Sequence, residues 1–168
     1  LSADGSVSCA TCHDANLAFG DGVARGKGVA REALPRHTPA LWNLAWSHAF
    51  FWDGRAGSLE EQARGPVENP KEMGQSMPAV AALIGADPAY REAFAMAFPG
   101  TDGVSEATIA QAIASYERTI VSPPTRFDNW VMGDDAARAA LREGARALGL
   151  HNGLDEAVER LRTLASYS

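Results

Sequence analysis

Cys9-Ala-Thr-Cys12-His13 is the stretch whose residue types and spacing point to a definite chemistry. Thiols three positions apart can each add across a vinyl group of one haem, and the histidine that follows at once is placed to ligate the iron. A half zinc site is the competing chemistry. It needs about four ligands in all, and outside the motif the sequence holds no further cysteine and only His37, His48 and His151. The spacing therefore predicts a covalent c-type haem attached through Cys9 and Cys12, with His13 as the metal ligand.

Such a cofactor needs a chain that can enclose it. The 168 residues suffice for one domain or a little more with a buried core. Apolar residues make up 46% and charged residues 21%, and no apolar run approaches the length of a membrane span. The net charge of -6 argues against a nucleic-acid partner. The cations are 13 Arg and 2 Lys scattered among acids, so no lysine ring marks an electron-transfer docking face. Both cysteines belong to the motif, and no disulfide reports the compartment. The haem does so instead: covalent c-type haems are usually assembled outside the cytoplasmic membrane, so a periplasmic setting is expected. A chain opening at Leu1 without a signal peptide reads as a mature form or a fragment.

The elements that would position the motif are helices. Residues 1–34 are rich in glycine and small residues and read as loop wrapped round the cofactor, apart from one helical turn carrying the motif. A short helix is expected within Arg36–Trp46, begun after Pro39. Ser58-Leu-Glu-Glu61 is a capping box opening a helix that Pro66 ends. Further helices are expected from Met77 to Ile84, and from Pro88, capped by Asp87, to Phe98. The strongest periodicity lies in Ser105–Val121, where Ile109, Ala112, Ile113, Tyr116 and Ile120 share one core face. Thr125–Met132 follows with Phe127, Trp130 and Val131 inward, then Ala136–Leu148 and Leu154–Ala165. No stretch alternates at period two, so the fold class is all-α: a cytochrome c-like haem domain with long loops around a covalent haem.

The order of motifs carries a resemblance. Ser2 to His13, then His37-Thr-Pro-Ala-Leu-Trp-Asn43, Phe51-Trp-Asp-Gly-Arg55, Leu59-Glu-Glu-Gln-Ala63, Gly65-Pro66 and Asn69-Pro-Lys-Glu-Met73 resemble the N-terminal domain of bacterial di-haem cytochrome c peroxidases and their MauG-like relatives. The resemblance covers about residues 1–148. It implies a haem domain over 1–133, with 134–168 as C-terminal helices that lead into, or remain from, a second haem domain. It also implies roles. His13 resembles the proximal ligand of the peroxidatic haem, Glu72 the distal acid that handles the peroxide proton, Gln62 a distal pocket residue and Pro66 a pocket wall. Trp52 resembles the tryptophan that relays electrons between two haems. Heterolytic peroxide cleavage needs an open iron position, an acid or base and a polar donor for the leaving hydroxide, and these residue types supply them.

From the residues alone, Glu72 is a solvated loop acid, Gln62 a helix-surface residue, Trp52 core packing beside Phe50 and Phe51, Tyr116 a core residue and His48 a partly buried histidine. Arg55 either anchors a haem propionate or caps its own turn. Some family members place a histidine in the glycine-rich loop after the motif, and Ala18–Leu34 has none. The sixth iron position is then open or water-filled, with Met73, Met77 and His37 as candidate substitutes. His37 also stands where the family commonly has an asparagine that helps bind calcium, which leaves calcium an open question. After Leu148 the family continues into a second Cys-x-x-Cys-His, whereas here His151-Asn-Gly follows. This reads as a truncated, spliced or incomplete chain or, alternatively, a natural single-haem member.

Two functions follow. One is a haem peroxidase that reduces hydrogen peroxide with electrons from a small donor protein, or uses peroxide to oxidise a partner protein. The alternative is an electron-transfer cytochrome without an open iron site, or a fragment of a larger di-haem enzyme.

Overall fold

The computed structural model describes residues 1–147, so the expected Leu154 helix and His151 lie outside the described residues. Those described fall into two compact units, Leu1–Val121 and a second from Ser122 onward. Helices dominate, and among the described residues the only strand-like pairings are isolated bridges.

Most of the helices begin where a side chain accepts an otherwise unpaired first-turn amide. The short α1, Cys9–Cys12, opens with the Ser8 N–H donating to Thr11 Oγ1 at 3.0 Å. α2, Leu59–Glu68, opens with the Glu61 N–H donating to Ser58 Oγ at 3.1 Å. Glu61 does not return the bond to Ser58; its carboxylate accepts from the Gly57 N–H at 2.9 Å, one residue further out. Ser76 caps α3, Met77–Ala86, and Asp87 caps α4, Pro88–Ala97. α5, Glu106–Arg118, has a full capping box between Ser105 and Thr108. In the second unit, Thr125 and Asp128 form the box of α6, Arg126–Val131, and α7 spans Asp135–Ala147.

Two expected boundaries move. Residues 36–46 form no α-helix, only a 3-10 turn at Leu44–Trp46. Asn43 adopts a left-handed φ of 60°, which no continuous right-handed helix contains. α2 passes through Pro66 instead of stopping there. Proline removes one amide, but loop amides satisfy the carbonyls of the last turn. Asn69 N–H donates to Gly65 O at 2.9 Å, Met73 N–H to Pro66 O at 3.1 Å and Gln75 N–H to Val67 O at 2.8 Å.

α2 packs on α5 through small and aliphatic residues: Leu59, Ala63 and Val67, at four-residue steps, are buried, as are Ile109, Ala110 and Ala114. Val7, Met73, Met77 and Val80 extend this core, and Phe50 and Ala56 join Leu59 and Ala114 in a second cluster. The expected face of α5 divides. Ile109 and Ile120 are buried, whereas Ala112, Ile113 and Tyr116 border a large cavity. Tyr116 is 63% exposed and is not a core residue. The helix has two apolar stripes: Ala110 and Ala114 are buried on one, and Ala112, Ile113 and Tyr116 line the cavity on the other. In α6, Trp130 is buried, but Phe127 is 42% exposed rather than inward, meeting the Trp130 ring edge-on at 5.5 Å.

The long N-terminal loops are tied to the segment after α2. Ala3 N–H donates to Met73 O at 2.9 Å and Val29 N–H to Glu72 O at 2.8 Å. The second contact depends on Gly28, where a Cβ would overlap the backbone carbonyl oxygens of Lys71 and Glu72. Gly28→Ala is therefore expected to force the two loops apart and cost about 1–3 kcal/mol, the range for overpacking a filled site, read as a lowered midpoint in denaturant unfolding. An unchanged midpoint would show that the loops are not held this closely.

Candidate functional site

The first unit encloses a cavity of about 1280 Å³, larger than the roughly 300–1,000 Å³ of an ordinary small-molecule pocket. Its wall includes Cys9, Cys12 and His13 from the motif, Gln62, Pro66 and Val67 from α2, and Glu72 and Met73 from the following loop. α3 and α4 add Leu83, Ile84, Tyr90 and Phe94, and α5 adds Ile109, Ile113, Tyr116 and Glu117. Trp52, Arg55, Arg36 and His37 complete it from the central loops.

One turn of α1 presents the two thiols, and His13 caps that turn with its N–H on Cys9 O at 2.8 Å. The thiols are unpaired. Burial raises the pKa of both, and the charges of Asp21 and Glu72 raise that of Cys12 further. Cys9 is accessible from the cavity yet has enough protein around it for the same effect. The raised thiol pKa disfavours a thiolate pair poised for a metal ion. His13 Nδ1 lies 2.9 Å from Phe19 O. A carbonyl only accepts, so Nδ1 carries the proton and Nε2 is the nitrogen left to bind a metal. Among the described residues, no group of three or more His, Cys, Asp or Glu could hold a metal ion by itself. A wide apolar cavity, two protonated thiols and one oriented imidazole fit a covalent haem.

The other sequence candidates sort by position. Gln62 and Pro66, one helical turn apart, share the cavity-facing stripe of α2, and both are half-buried. Glu72 is also half-buried, against the solvated reading. Asn69 Nδ2 donates to its Oε1 at 2.7 Å, while Asn69 Oδ1 accepts the Lys71 N–H at 3.0 Å and thereby fixes the amide. Asn69 thus orients the acid, a role its sequence position did not suggest.

Trp52 is not core packing. It is 62% exposed at the cavity wall, and its indole N–H donates to His37 O at 2.8 Å. Phe50 is the buried member of that cluster. Phe51 takes a left-handed φ of 65°, with the Arg55 guanidinium 3.5 Å over its ring. Arg55 and Arg36 each reach Asp53 at 2.8 Å and hold its carboxyl well below the usual carboxylate range. Arg55 therefore caps its turn while also bordering the cavity.

Of the candidate sixth ligands, Met77 is buried in the core and does not line the cavity, whereas Met73 and His37 do. His37 Nδ1 bonds Val23 O at 2.9 Å. His48 is exposed, contrary to the partly buried expectation, and is not part of the wall.

Sequence reasoning passed over Glu117. It is 8% exposed and lines the cavity, and its Oε2 is buried with no hydrogen-bond partner among the described residues. Burial pushes its carboxyl up to about 7. The available signal was its spacing: it falls three residues after Ala114 and seven after Ala110, on the buried stripe.

Among the described residues, no helix is long and apolar enough to cross a membrane. The chain is 44% identical over 153 residues to the methylamine utilization protein MauG of Methylorubrum extorquens, covering 91% of this chain and 43% of that protein. It is 37% identical over 163 residues to the cytochrome c551 peroxidase of Pseudomonas aeruginosa, covering 92% and 47%. Among solved structures, a MauG-like protein associated with microbial copper homeostasis superposes with a TM-score of 0.73 at 33% identity, covering 79% of this chain and 40% of that one. The chain spans less than half the length of each of these proteins. The family model described as di-haem cytochrome c peroxidase matches residues 1–136, and the chain belongs to that family.

Proposed function

We propose that this chain forms the peroxidatic haem domain, residues 1–133, of a periplasmic oxidoreductase that reduces hydrogen peroxide or uses it to oxidise a partner protein. The observation that carries this reading is the meeting of Cys9, Cys12 and His13 with Gln62 and Glu72 on the wall of one cavity. The thioether links would run from Cys9 and Cys12, and His13 Nε2 would bind the iron. A haem held there supplies a metal position at which the peroxide O–O bond can be cleaved.

The protein's own groups do the rest. Reducing hydrogen peroxide to two waters consumes two protons and two electrons. Glu72 accepts a proton from the near oxygen and returns it to the far one, so that water rather than hydroxide departs. The Gln62 amide donates to the departing oxygen. Asn69 holds Glu72 Oε1 at 2.7 Å and keeps the carboxylate aimed while its proton moves. Trp52, with one edge at the cavity and most of its surface exposed, offers a path for electrons from a small donor protein or a protein substrate. Pro66 keeps its segment of wall free of an amide donor. Arg55 can turn from Asp53 toward a haem propionate. In the whole protein a second haem would extend the electron path; calcium belongs to the same set of family expectations.

Glu72→Gln is expected to slow peroxide cleavage by about 10²–10⁴-fold, the span typical of a lost acid–base group, in stopped-flow mixing of the ferric protein with peroxide; an unchanged rate removes Glu72 from the mechanism. One observation favours the electron-transfer alternative. His37 borders the cavity with Nδ1 engaged by Val23 O, which leaves Nε2 as its metal-binding nitrogen. Absorption spectra separate the two. A high-spin ferric band that shifts with cyanide supports the open site, and a low-spin band that ignores cyanide supports His37 ligation.

A further inference from the structure

Glu117 has no part in the peroxide chemistry, yet it carries the one buried side-chain oxygen without a hydrogen-bond partner among the described residues. Such an atom is costly unless the group is neutral or a compensating charge arrives. None is in place. The adjacent cation, Arg118, is drawn away to Glu60 of α2, with bonds of 2.7 and 3.1 Å. Arg64 of α2 is held by Glu106 at 2.8 Å, and Glu61 is taken up by the Gly57 amide. α3 and the Leu44–Trp46 turn, also packed on α5, carry no ionisable side chain. On the cavity side Glu117 shares the wall with Cys9, His13, Glu72, Asp87 and Tyr116. It lies close enough to Cys9 for its charge to raise the thiol's pKa.

We infer that Glu117 is the redox-linked proton site of the haem held by Cys9, Cys12 and His13, its carboxyl binding one solvent proton as the haem gains an electron and releasing it as the electron leaves. This rests on the haem assignment above. The balance is one electron from the donor and one proton from water, converting ferric haem and carboxylate to ferrous haem and carboxylic acid. The physical cause is mutual. Negative charge added to a cofactor in a low-dielectric cavity destabilises a neighbouring carboxylate, and the carboxylate destabilises the added electron equally. A merely structural glutamate would place its charge in water or against a cation.

The sign follows. With its carboxyl pushed up to about 7 in the protein, Glu117 already holds its proton at lower pH, and the haem potential is independent of pH there. Reduction raises that pKa. Above about pH 7 the oxidised form has lost the proton that the reduced form keeps, so the midpoint potential falls as pH rises. One proton per electron corresponds to at most about 59 mV for each tenfold change in proton concentration.

Spectroelectrochemical titration of the haem-bearing protein from acid to alkaline pH tests this, with covalent haem confirmed in each sample by mass. A potential that is level in acid and falls above neutrality, together with a level profile in Glu117→Gln, is the expected result. A level wild-type profile, or a slope that persists in Glu117→Gln, overturns the proposal and assigns the protons to other groups such as the propionates. Glu117→Asp keeps the carboxyl and is expected to keep the slope in a shifted window; its loss there counts against the proposal. Should Glu117→Gln fail to fold, the wild-type slope and the Asp variant still decide. A sample without covalent haem overturns the haem assignment as well, whereas a haem-bearing sample with a level potential overturns only this proposal.

Discussion

The packing of α2 on α5 is the interaction from which the rest of the site hangs. Ala63, Ala110 and Ala114 are small enough to let the helices meet closely, with Leu59 and Ile109 buried alongside. Each helix also presents side chains to the cavity: Gln62 and Pro66 on α2, and Ile113 and Tyr116 on α5, with Glu117 at the border between that stripe and the buried one. The cavity is therefore walled by regular helices, whose side-chain directions are set by backbone geometry. A larger residue at Ala114 would separate the helices and tilt both walls together.

The opposite kind of order governs the motif side. Residues 1–50 contain only short helical turns and isolated bridges, and they are positioned by backbone hydrogen bonds to fixed points. The two bonds to Glu72 and Met73 tie this loop to the end of α2. They also hold the backbone of Glu72, so the acid and the loop carrying the motif are placed by one set of contacts. The detour through Pro66 has the same consequence. Loop amides that reach back to Gly65, Pro66 and Val67 fold residues 69–75 against the helix and turn Glu72 toward the cavity.

Two of the carboxyl groups on that cavity wall sit under different conditions. Glu72 has a fixed amide donor in Asn69, which suits a group that must present a defined lone pair. Glu117 has a buried oxygen with no hydrogen-bond partner among the described residues, which suits a group that exchanges its proton with a change of charge nearby. Environment rather than residue type separates their roles. Arg36, Arg55 and Asp53 form a third ionic set at the rim. Their side chains are 40–53% exposed, so solvent screens the pairs and they can rearrange.

Local chemistry determined most of what could be read without a structure. The haem motif is contiguous, helix starts lie in Ser58, Ser76, Asp87, Ser105 and Thr125 acting within three residues, and the order of motifs carried the family. What needed the tertiary structure was everything set by distant partners. The 36–46 helix fails because Asn43 adopts a left-handed conformation and its N–H is bound to Ile120 O at 2.9 Å, a contact far away in sequence. Pro66 does not stop α2 because amides from beyond the helix complete its last turn. Tyr116 and Glu117 are adjacent on one periodic helix, and periodicity could not say which apolar stripe would meet α2 and which would meet the cavity. Spacing along a chain records which residues share a face; burial and the proton affinity that follows from it depend on what that face is packed against, and only the assembled fold supplies that.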